Sequence, residues 1–413
     1  MRDGTSLPGS SVTWPAFLAA FGFRNYRLVW TGAFLSSLGT WTQDVALAWI
    51  IHTRMGEPLY LGLRAFAADA PLLAFMLVGG AAADRIDRRR ILLTSNVLQL
   101  LFAATLGALY VSGHLGIGAI LLVAFATGLA QSQSAPTYQA VLTSLVPPPF
   151  IPNAVALNSL QFNLSRAIGP VIAGLLLARG GTAACFAVNV VSFLAVIAAF
   201  LAVRLPPQAP ASTETLRQSL RTGLRHVAGH RLLLTFMVLG AGGSLLSMPL
   251  LTFMPVIAGE AMGVSARGYS LLLSSFGAGA ILGALATAHR GNVPGRGRAL
   301  LLALVVFGAS SAGAVLSGHA ATAMALLLVA GFSLTTAFST LNSLVQEHAP
   351  AAMKGRVLSI YGLAFRGGMP VGSLLAGFLV GPLGVVPVVS GFTLALAVLA
   401  AGAYLTSDEL RAL

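Results

Sequence analysis

The chain has 413 residues, of which 56% are hydrophobic and only 8% are charged, and its mean hydropathy is +0.86. An ordinary soluble domain carries about 25% charged residues, so this composition excludes a water-soluble globular protein and predicts an all-α protein that lies mostly in lipid. The formal net charge of +13 does not indicate nucleic-acid binding, because the basic residues fall between apolar segments and build no single face. We therefore expect the lipid bilayer as a partner and no nucleic acid.

The first apolar stretch, residues 14–23, is short, contains Pro15 and ends in the basic sequence Arg24-Asn25-Tyr26-Arg27. This order of features does not match a cleavable signal peptide, in which the positive charges precede the apolar segment. We expect instead a helix that lies at the cytoplasmic surface of the membrane and leads into the first span.

Twelve apolar segments follow, and turn-forming or charged residues such as Gly56-Glu57-Pro58 and Gly180-Gly181 separate most of them. A helix needs about 20 apolar residues to cross a bilayer core of about 30 Å, so each segment predicts one membrane span. The segments lie near residues 28–51, 59–83, 91–112, 116–138, 154–178, 182–204, 231–257, 268–288, 299–317, 320–340, 357–380 and 384–405.

The basic residues favour one side of the membrane. If both termini are cytoplasmic, 18 of the 24 lysines and arginines fall on the cytoplasmic side. Three lie on the outer side (Arg54, Arg179 and Arg267) and three within spans (Arg64, Arg166 and Arg366). Cytoplasmic loops of membrane proteins carry this excess of positive charge, so the pattern predicts a multi-pass plasma-membrane protein with both termini in the cytoplasm.

One long polar connection, residues 205–230, divides the chain into two sets of six spans. Within it, four apolar residues recur at helical spacing, which predicts an amphipathic helix on the cytoplasmic lipid surface. They are Leu216, Leu220, Leu224 and Val227. The predicted domains are therefore an N-terminal six-helix bundle (residues 1–204), the linker (residues 205–230) and a C-terminal six-helix bundle (residues 231–413).

The two halves repeat each other. The basic loop at residues 84–90 has a counterpart at residues 289–298, after the second span of each half. Three residues of the fifth span, Arg166, Pro170 and Val171, recur 200 positions later as Arg366, Pro370 and Val371. A repeat of this kind is typical of transporters whose halves rock around a central site near the middle of the membrane.

The loop after the second span, GAAADRIDRRR at residues 80–90, resembles the major facilitator signature G-x-x-x-D-R-x-G-R-R, with aspartate where the general pattern has its second glycine. The residues that carry the signature are Gly80, Asp84, Arg85, Asp87 and Arg88. The resemblance implies that Asp84 and Arg88 engage the opposite half and latch one conformation. The alternative is a positively charged cytoplasmic anchor with no switching role.

The fifth span contains Gly169, Pro170 and Gly174, which resemble the G-P-x-x-G-G motif of antiporters in the same superfamily, with Ala173 in place of one glycine. In the family this motif accompanies export, so the resemblance argues against a simple uptake carrier. The alternative is close packing of small residues with no meaning for the direction of transport.

Longer stretches resemble one branch of the major facilitator superfamily, the enterobactin-exporter and macrolide-efflux branch of transmembrane secretion effectors. They are residues 23–27, 36–39 and 135–166, and the resemblance extends over essentially the whole chain. It implies a major facilitator fold with twelve transmembrane helices in two pseudo-symmetric six-helix bundles, a bacterial inner-membrane location and a monomer. The motifs do not identify the substrate.

Five ionisable residues lie within the predicted spans: Asp44, Arg64, Asp69, Arg166 and Arg366. An ionised side chain at the middle of a bilayer costs at least about 2.5–3.5 kcal/mol, so each needs a partner, water or a function. A carboxylate that is charged in one conformation and neutral in another can couple proton movement to rocking, and Asp69 is the first candidate and Asp44 the second. The alternative is two static pairs, Asp44–Arg64 and Asp69–Arg166.

The three arginines are candidates for ion pairing or for binding a polar or anionic substrate. Four further polar residues are candidates for lining a cavity, although hydrogen bonding between helices is the more common role of such residues. They are Gln43, Gln131, Asn158 and Gln161.

No catalytic constellation, metal-ligand set or phosphate-binding loop is present in the sequence, so we expect neither an enzyme nor a cofactor. The favoured function is a secondary exporter, driven by the proton gradient, of a small amphipathic drug-like or siderophore-like molecule by alternating access. An uptake symporter or facilitator is the alternative. A third possibility is a membrane receptor or lipid-handling protein that kept the fold without coupled transport.

Overall fold

The computed structural model describes residues 15–78, 87–203, 205, 223–291, 293–350 and 353–413. In these residues the regular secondary structure is helical, with connecting turns and no strand. Six long helices precede the linker: α1 (Arg24–Ile50), α2 (Leu59–Val78), α3 (Arg88–Val111), α4 (Ile117–Ser144), α5 (Ile151–Arg179) and α6 (Gly181–Ala202). Six follow it: α7 (Arg231–Thr252), α8 (Ala266–Arg290), α9 (Arg296–Leu316), α10 (Ala320–His348), α11 (Lys354–Leu383) and α12 (Val385–Thr406).

Ten of these helices, α3 to α12, are long and apolar enough to cross a membrane, judged over the described part of the chain. Helices α1 and α2 have 27 and 20 residues and carry Asp44, Arg64 and Asp69. Several helices are longer than their apolar segments predict, since α4 continues to Ser144 and α10 to His348. A helix of 28 or 29 residues is about 43 Å long at about 1.5 Å per residue, longer than the hydrocarbon core.

Short helical segments lie at the ends of the long helices. A 3-10 helix, Ala16–Gly22, precedes α1, and the backbone N–H of Ala20 donates to Asn153 Oδ1 at the start of α5 over 2.8 Å. Helix α1 continues into a π-helical turn, Ile51–Met55. Helix α7 leads through Met254–Val256 into a second one, Ile257–Ala261. The same unusual turn therefore follows the first helix of each half.

We call the end of the bundle that holds the starts of α1 and α5 the linker end, and the end that holds both π-helical turns the far end. The described part of the linker is helical at residues 223–228. It packs on α11, with Gly223 against Ile360 and with Val227 buried. Leu224 remains 55% exposed. The predicted apolar residues Leu216 and Leu220 lie outside the described residues, so the amphipathic surface helix stays a prediction.

The helices of the two halves pack in the same pattern. In the first half, α1 packs against α5 and α6, α3 against α4 and α6, and α2 against α4. In the second half, α7 packs against α11 and α12, α9 against α10 and α12, and α8 against α10. Between the halves, α2 packs against α11 and α5 against α8. Each helix pair of the first half has a counterpart six helix numbers later in the second half. The same shift turns the contact between α2 and α11 into the contact between α8 and α5, which is the pattern of a pseudo-two-fold axis.

Glycines allow the closest approaches within each half. A Cβ atom on Gly331 of α10 would overlap the carbonyl oxygen of Phe276 in α8, and a Cβ atom on Gly279 of α8 would overlap that of Leu328 in α10. Association of helices in lipid depends on close packing of this kind, because burial of apolar surface against another helix gains little over burial in lipid tails.

The variant Gly331→Ala tests the contact between α8 and α10. The added methyl group meets backbone rather than a movable side chain, so we expect a loss of stability of about 1–3 kcal/mol, measured as a lower melting temperature of the purified protein in detergent. Gly362→Ala in α11 is the matched control, because a Cβ atom there meets nothing within 4 Å. Equal melting temperatures for both variants would contradict the close approach.

Candidate functional site

The contacts between the halves concentrate at the far end and continue to the middle of the bundle. The rings of Trp49 and Tyr269 stack with centroids 5.7 Å apart. A Cβ atom on Gly62 of α2 would lie 2.6 Å from the carbonyl oxygen of Ser373 in α11. One buried apolar cluster contains far-end residues of both halves. Two other clusters, centred on Phe193 and Tyr26, include no described residue beyond Leu205. The closed side of the interface is therefore the far end.

The two π-helical turns meet in this closure. A Cβ atom on Gly259 would collide with the imidazole of His52, so the ring packs directly on that backbone. Burial lowers the pKa of His52 from its ordinary value, while the nearby carboxylate of Glu260 acts in the opposite direction. Burial therefore favours the neutral form of the imidazole in this conformation, and Glu260 opposes it.

Below this closure, Arg64 of α2 donates to Asp44 Oδ1 of α1 in a salt bridge. Asp44 lies six residues before the end of α1 and Arg64 five residues after the start of α2, so both are about 8–9 Å from the far ends of their helices. The sequence, read with the direction of each helix, predicts the same depth for both residues. The salt bridge between them agrees with that prediction. The side chains remain 21% and 36% exposed.

Asp69 lies deeper in α2 and faces the other half. The charged groups that act on it are those of Arg366 of α11, Arg64 and Asp44. It forms no ion pair within 4 Å with any basic group of the described residues. The alternative of a static Asp69–Arg166 pair is wrong for this conformation, because Asp69 turns toward α11 while Arg166 projects from α5 between α1 and α8.

Arg166 is half-buried and lies against aromatic rings. Its guanidinium carbon is 5.0 Å from the ring centroid of Phe276 in α8 and 6.0 Å from that of Trp41 in α1. A cation at this distance from an aromatic face is attracted by the ring quadrupole. Arg166 therefore contacts aromatic rings of both halves.

Three of the four cavity-lining candidates hold helices together. Gln43 accepts from Asn189 Nδ2 of α6 over 2.9 Å, and Gln161 donates to Ser37 Oγ of α1 over 2.8 Å. Gln131 donates to Gln99 Oε1 of α3 over 3.2 Å. The fourth, Asn158, has a buried Oδ1 with no hydrogen-bond donor among the described residues.

The small residues of the fifth-span motif are buried in two different contacts. A Cβ atom on Gly169 would collide with the side chain of Trp41 in α1, and one on Gly174 would lie 2.8 Å from the Ser270 side chain in α8. Pro170 lies between them inside α5. The motif thus packs α5 against its own half at one glycine and against the other half at the next.

Only part of the loop signature belongs to the described residues, since Gly80, Asp84 and Arg85 lie outside them. Asp87 caps α3 by accepting from the backbone N–H of Arg90 over 3.0 Å. Arg88 is the first residue of α3. Arg89 donates to the carbonyl oxygens of Phe200 and Leu201 at the end of α6 over 3.0 and 2.6 Å. The described part of the signature therefore fastens α3 to α6, and the latch stays a prediction.

Sequence reasoning missed the aromatic residues of the site. Trp41, Phe276, Trp49 and Tyr269 lie in apolar segments, where an aromatic side chain carries no signal that distinguishes a lipid-facing position from one at the interface. It also missed Arg89, although the run of three arginines at residues 88–90 indicated that more than one basic side chain has a structural role.

Helices of membrane-spanning length, packed in two matching sets around an interface that holds charged residues, define a multi-pass membrane transporter of the major facilitator class. The sequence profile described as transmembrane secretion effector matches residues 16–412. The chain belongs to this family, which confirms the branch that its motifs resemble.

Curated relatives from several bacteria match most of the chain. The staphyloferrin A transporter of Staphylococcus aureus is 26% identical over 355 residues, covering 84% of this chain and 88% of that protein. The multidrug efflux pump Tap of Mycolicibacterium fortuitum is 26% identical over 362 residues, covering 85% and 88%. The enterobactin exporter EntS of Shigella flexneri is 25% identical over 361 residues, covering 85% and 84%. This chain is therefore similar to transporters named for efflux and for siderophores.

Solved structures share the fold over nearly the full length. A bacterial homolog of the human lysosomal transporter Spinster, in an inward-facing and unoccupied conformation, superposes with a TM-score of 0.72 at 15% identity, covering 97% of this chain and 98% of that one. A D-xylose–proton symporter superposes with a TM-score of 0.73 at 14% identity, covering 96% and 100%. At these identities the likeness shows the fold alone.

A double-mutant cycle on Asp44→Asn and Arg64→Gln measures the coupling of the ion pair. Each single variant leaves one charge without its partner. We therefore expect the double variant to lose less stability than the two single variants lose together, by about 0.5–3 kcal/mol. The measurement is thermal unfolding of the purified protein. Asp408 and Arg411, an exposed pair three residues apart, form the control cycle, with expected coupling of at most about 0.5 kcal/mol. Additive losses at Asp44 and Arg64 would show that the pair does not couple.

Proposed function

We propose that the protein is a secondary exporter, driven by the proton gradient, of a small amphipathic drug-like or siderophore-like molecule. The observation that carries the proposal is Asp69, a carboxylate inside the bundle whose charge is influenced by Arg366 of the opposite half. The names of the relatives support export of this class of molecule. The coupling residues are Asp69 first and Asp44 second.

The proposed architecture has all twelve long helices crossing the membrane as two six-helix bundles, residues 1–204 and 231–413, joined by the linker at residues 205–230. The matching packing patterns of the two halves support this division. The basic residues favour an orientation with the linker end and both termini in the cytoplasm, in a bacterial inner membrane. The exporter is proposed to act as a monomer without a cofactor, with the bilayer and the small-molecule substrate as its partners.

In this orientation the closed far end faces outward, and we propose that the central site of this conformation opens to the cytoplasm. Substrate for export enters from that side. Opening the far end requires separation of the Trp49–Tyr269 stack and of the backbone contact between Gly62 and Ser373, with closure of the linker end. The loop signature, with Asp84 and Arg88, is proposed to stabilise the closed linker end.

Protonation of Asp69 gives the energetic link between the gradient and the movement. The charged carboxylate attracts Arg366 across the interface, and proton binding removes that attraction while it also removes the cost of an ionised group away from water. The two conformations therefore differ in their affinity for a proton, and a proton that binds from outside and leaves to the cytoplasm makes the cycle directional.

Transport into inside-out vesicles with an imposed pH gradient tests the proton coupling. A cationic dye such as rhodamine 123 and an anionic dye such as fluorescein serve as probes, because the substrate's charge is not assumed. We expect Asp69→Asn to reduce gradient-driven accumulation at least about tenfold, because asparagine cannot bind and release the proton. A tenfold change corresponds to about 1.4 kcal/mol. We expect Asp44→Asn to cause a smaller reduction.

Asp408→Asn is the matched control, because this carboxylate is 90% exposed near the end of the chain and should leave transport unchanged. Native rates in both Asp69→Asn and Asp44→Asn would overturn the coupling assignment. Accumulation of dye in the vesicles only when the gradient is reversed, so that protons and dye enter the lumen together, would favour the symporter alternative.

Cross-linking tests alternating access. In a Cys185→Ala background, which removes the single cysteine, cysteines at positions 49 and 269 are joined by a short bifunctional methanethiosulfonate reagent. We expect the link across the halves to stop transport and reduction to restore it. The control joins positions 54 and 110, where Arg54 lies over the Tyr110 ring within one half, 4.8 Å from its centroid. If the link across the halves leaves transport unchanged, the far end does not open.

A further inference from the structure

The five ionisable residues inside the spans carry an excess of one positive charge, since three are arginines and two are aspartates. Arg64 is neutralised by Asp44 in the salt bridge, and Arg366 has Asp69 as its charge partner. Arg166 remains. None of the described carboxylates forms an ion pair with it, and its guanidinium lies over the rings of Phe276 and Trp41.

The pseudo-two-fold axis shows what is missing at Arg166. Arg166 and Arg366 are repeat equivalents, 200 positions apart. Arg366 lies on α11, which packs against α2, and Arg166 lies on α5, which packs against α8, the helix equivalent to α2. Asp69 and Phe276 are each the eleventh residue of their helix. At the position where α2 carries a carboxylate, α8 therefore carries an aromatic ring, and Arg166 lies over that ring.

An unneutralised guanidinium deep in a bilayer is costly, and the two rings compensate it only in part. The apolar surface beside it is also accessible. Phe162 lies one helical turn from Arg166 on α5, contacts the Trp41 ring at 6.2 Å between centroids, and is 52% exposed. The position thus offers one positive charge, whose guanidinium donates to none of the described residues, next to flat apolar surfaces.

We infer that Arg166, with Trp41, Phe162 and Phe276, forms the binding site for an organic anion: a carboxylate or similar acidic group attached to a flat or aromatic body. The anionic group takes the place that Asp69 occupies in the other half and pairs with the guanidinium, which presents a planar fork of donors. The apolar body stacks on the rings. The inference rests on the proposed export function, because it specifies the charge of the transported molecule.

Two dyes that share a ring system and differ in charge test this inference: fluorescein, which is anionic, and rhodamine 123, which is cationic. Their binding to the full-length protein in lipid nanodiscs is measured by fluorescence anisotropy, with empty nanodiscs as the blank. We expect the native protein to bind fluorescein at least about tenfold more tightly than rhodamine 123. Equal binding of the two dyes would overturn the inference without any variant.

Variants then locate the charge. We expect Arg166→Gln to weaken fluorescein binding at least about tenfold, while Arg166→Lys retains most of it. Phe276→Asp places in α8 the carboxylate that α2 has, so it should abolish the preference for fluorescein and spare rhodamine 123. Arg179→Gln, an exposed charge at the far end of the same helix, is the matched control. Unchanged fluorescein binding in Arg166→Gln would overturn the site.

Dye binding in nanodiscs needs no gradient, which separates this inference from the export proposal. If the pH gradient drives transport of a compound but the protein does not bind fluorescein in preference to rhodamine 123, the anion site is wrong and the export proposal stands. If fluorescein binding depends on Arg166 but the pH gradient drives no transport, the export proposal is wrong and the anion site stands.

Discussion

A charged side chain in hydrocarbon must find an opposite charge, water or a polarisable partner, and this constraint organises the interior of the protein. The structure meets it by placing all five ionisable residues of the spans toward the interface between the halves. Asp44 and Arg64 neutralise each other within the first half. Arg366 acts on the charge of Asp69 in the opposite half, and Arg166 lies over Phe276 of the opposite half, so the energy of these charges depends on how the halves are placed.

The repeat supplies two equivalent positions for such a charge, and the sequence treats them differently. Across one contact, between α2 and α11, an aspartate faces an arginine. Across the other, between α5 and α8, a phenylalanine faces an arginine. A strictly symmetric bundle would carry the same residue at both positions. The difference at positions 69 and 276 gives one interface a carboxylate and the other an aromatic ring.

Much of the fold could be predicted from the sequence because lipid imposes a simple rule on composition and length. The apolar segments located the long helices, although α4 and α10 extend past them into polar residues such as Thr143 and Gln346. Helix direction alone put Asp44 and Arg64 at one level. The partners of Asp69 and Arg166 could not be predicted in this way, because they depend on which face each helix turns toward its neighbour, and hydropathy does not encode that rotation.

Close contacts between backbones occur within the halves and between them, and the interface between the halves adds ring faces and separated charges. Inside each half, glycines such as Gly331 bring backbones together, and hydrogen bonds such as that from Gln161 to Ser37 cross from helix to helix. Contacts of this kind lose much of their energy on small displacements. Between the halves, glycines such as Gly277 also bring backbones together, and the interaction energy of the ring faces and separated charges beside them falls more gradually with distance. The charges at the interface therefore keep part of their interaction energy over displacements that would break the glycine contacts.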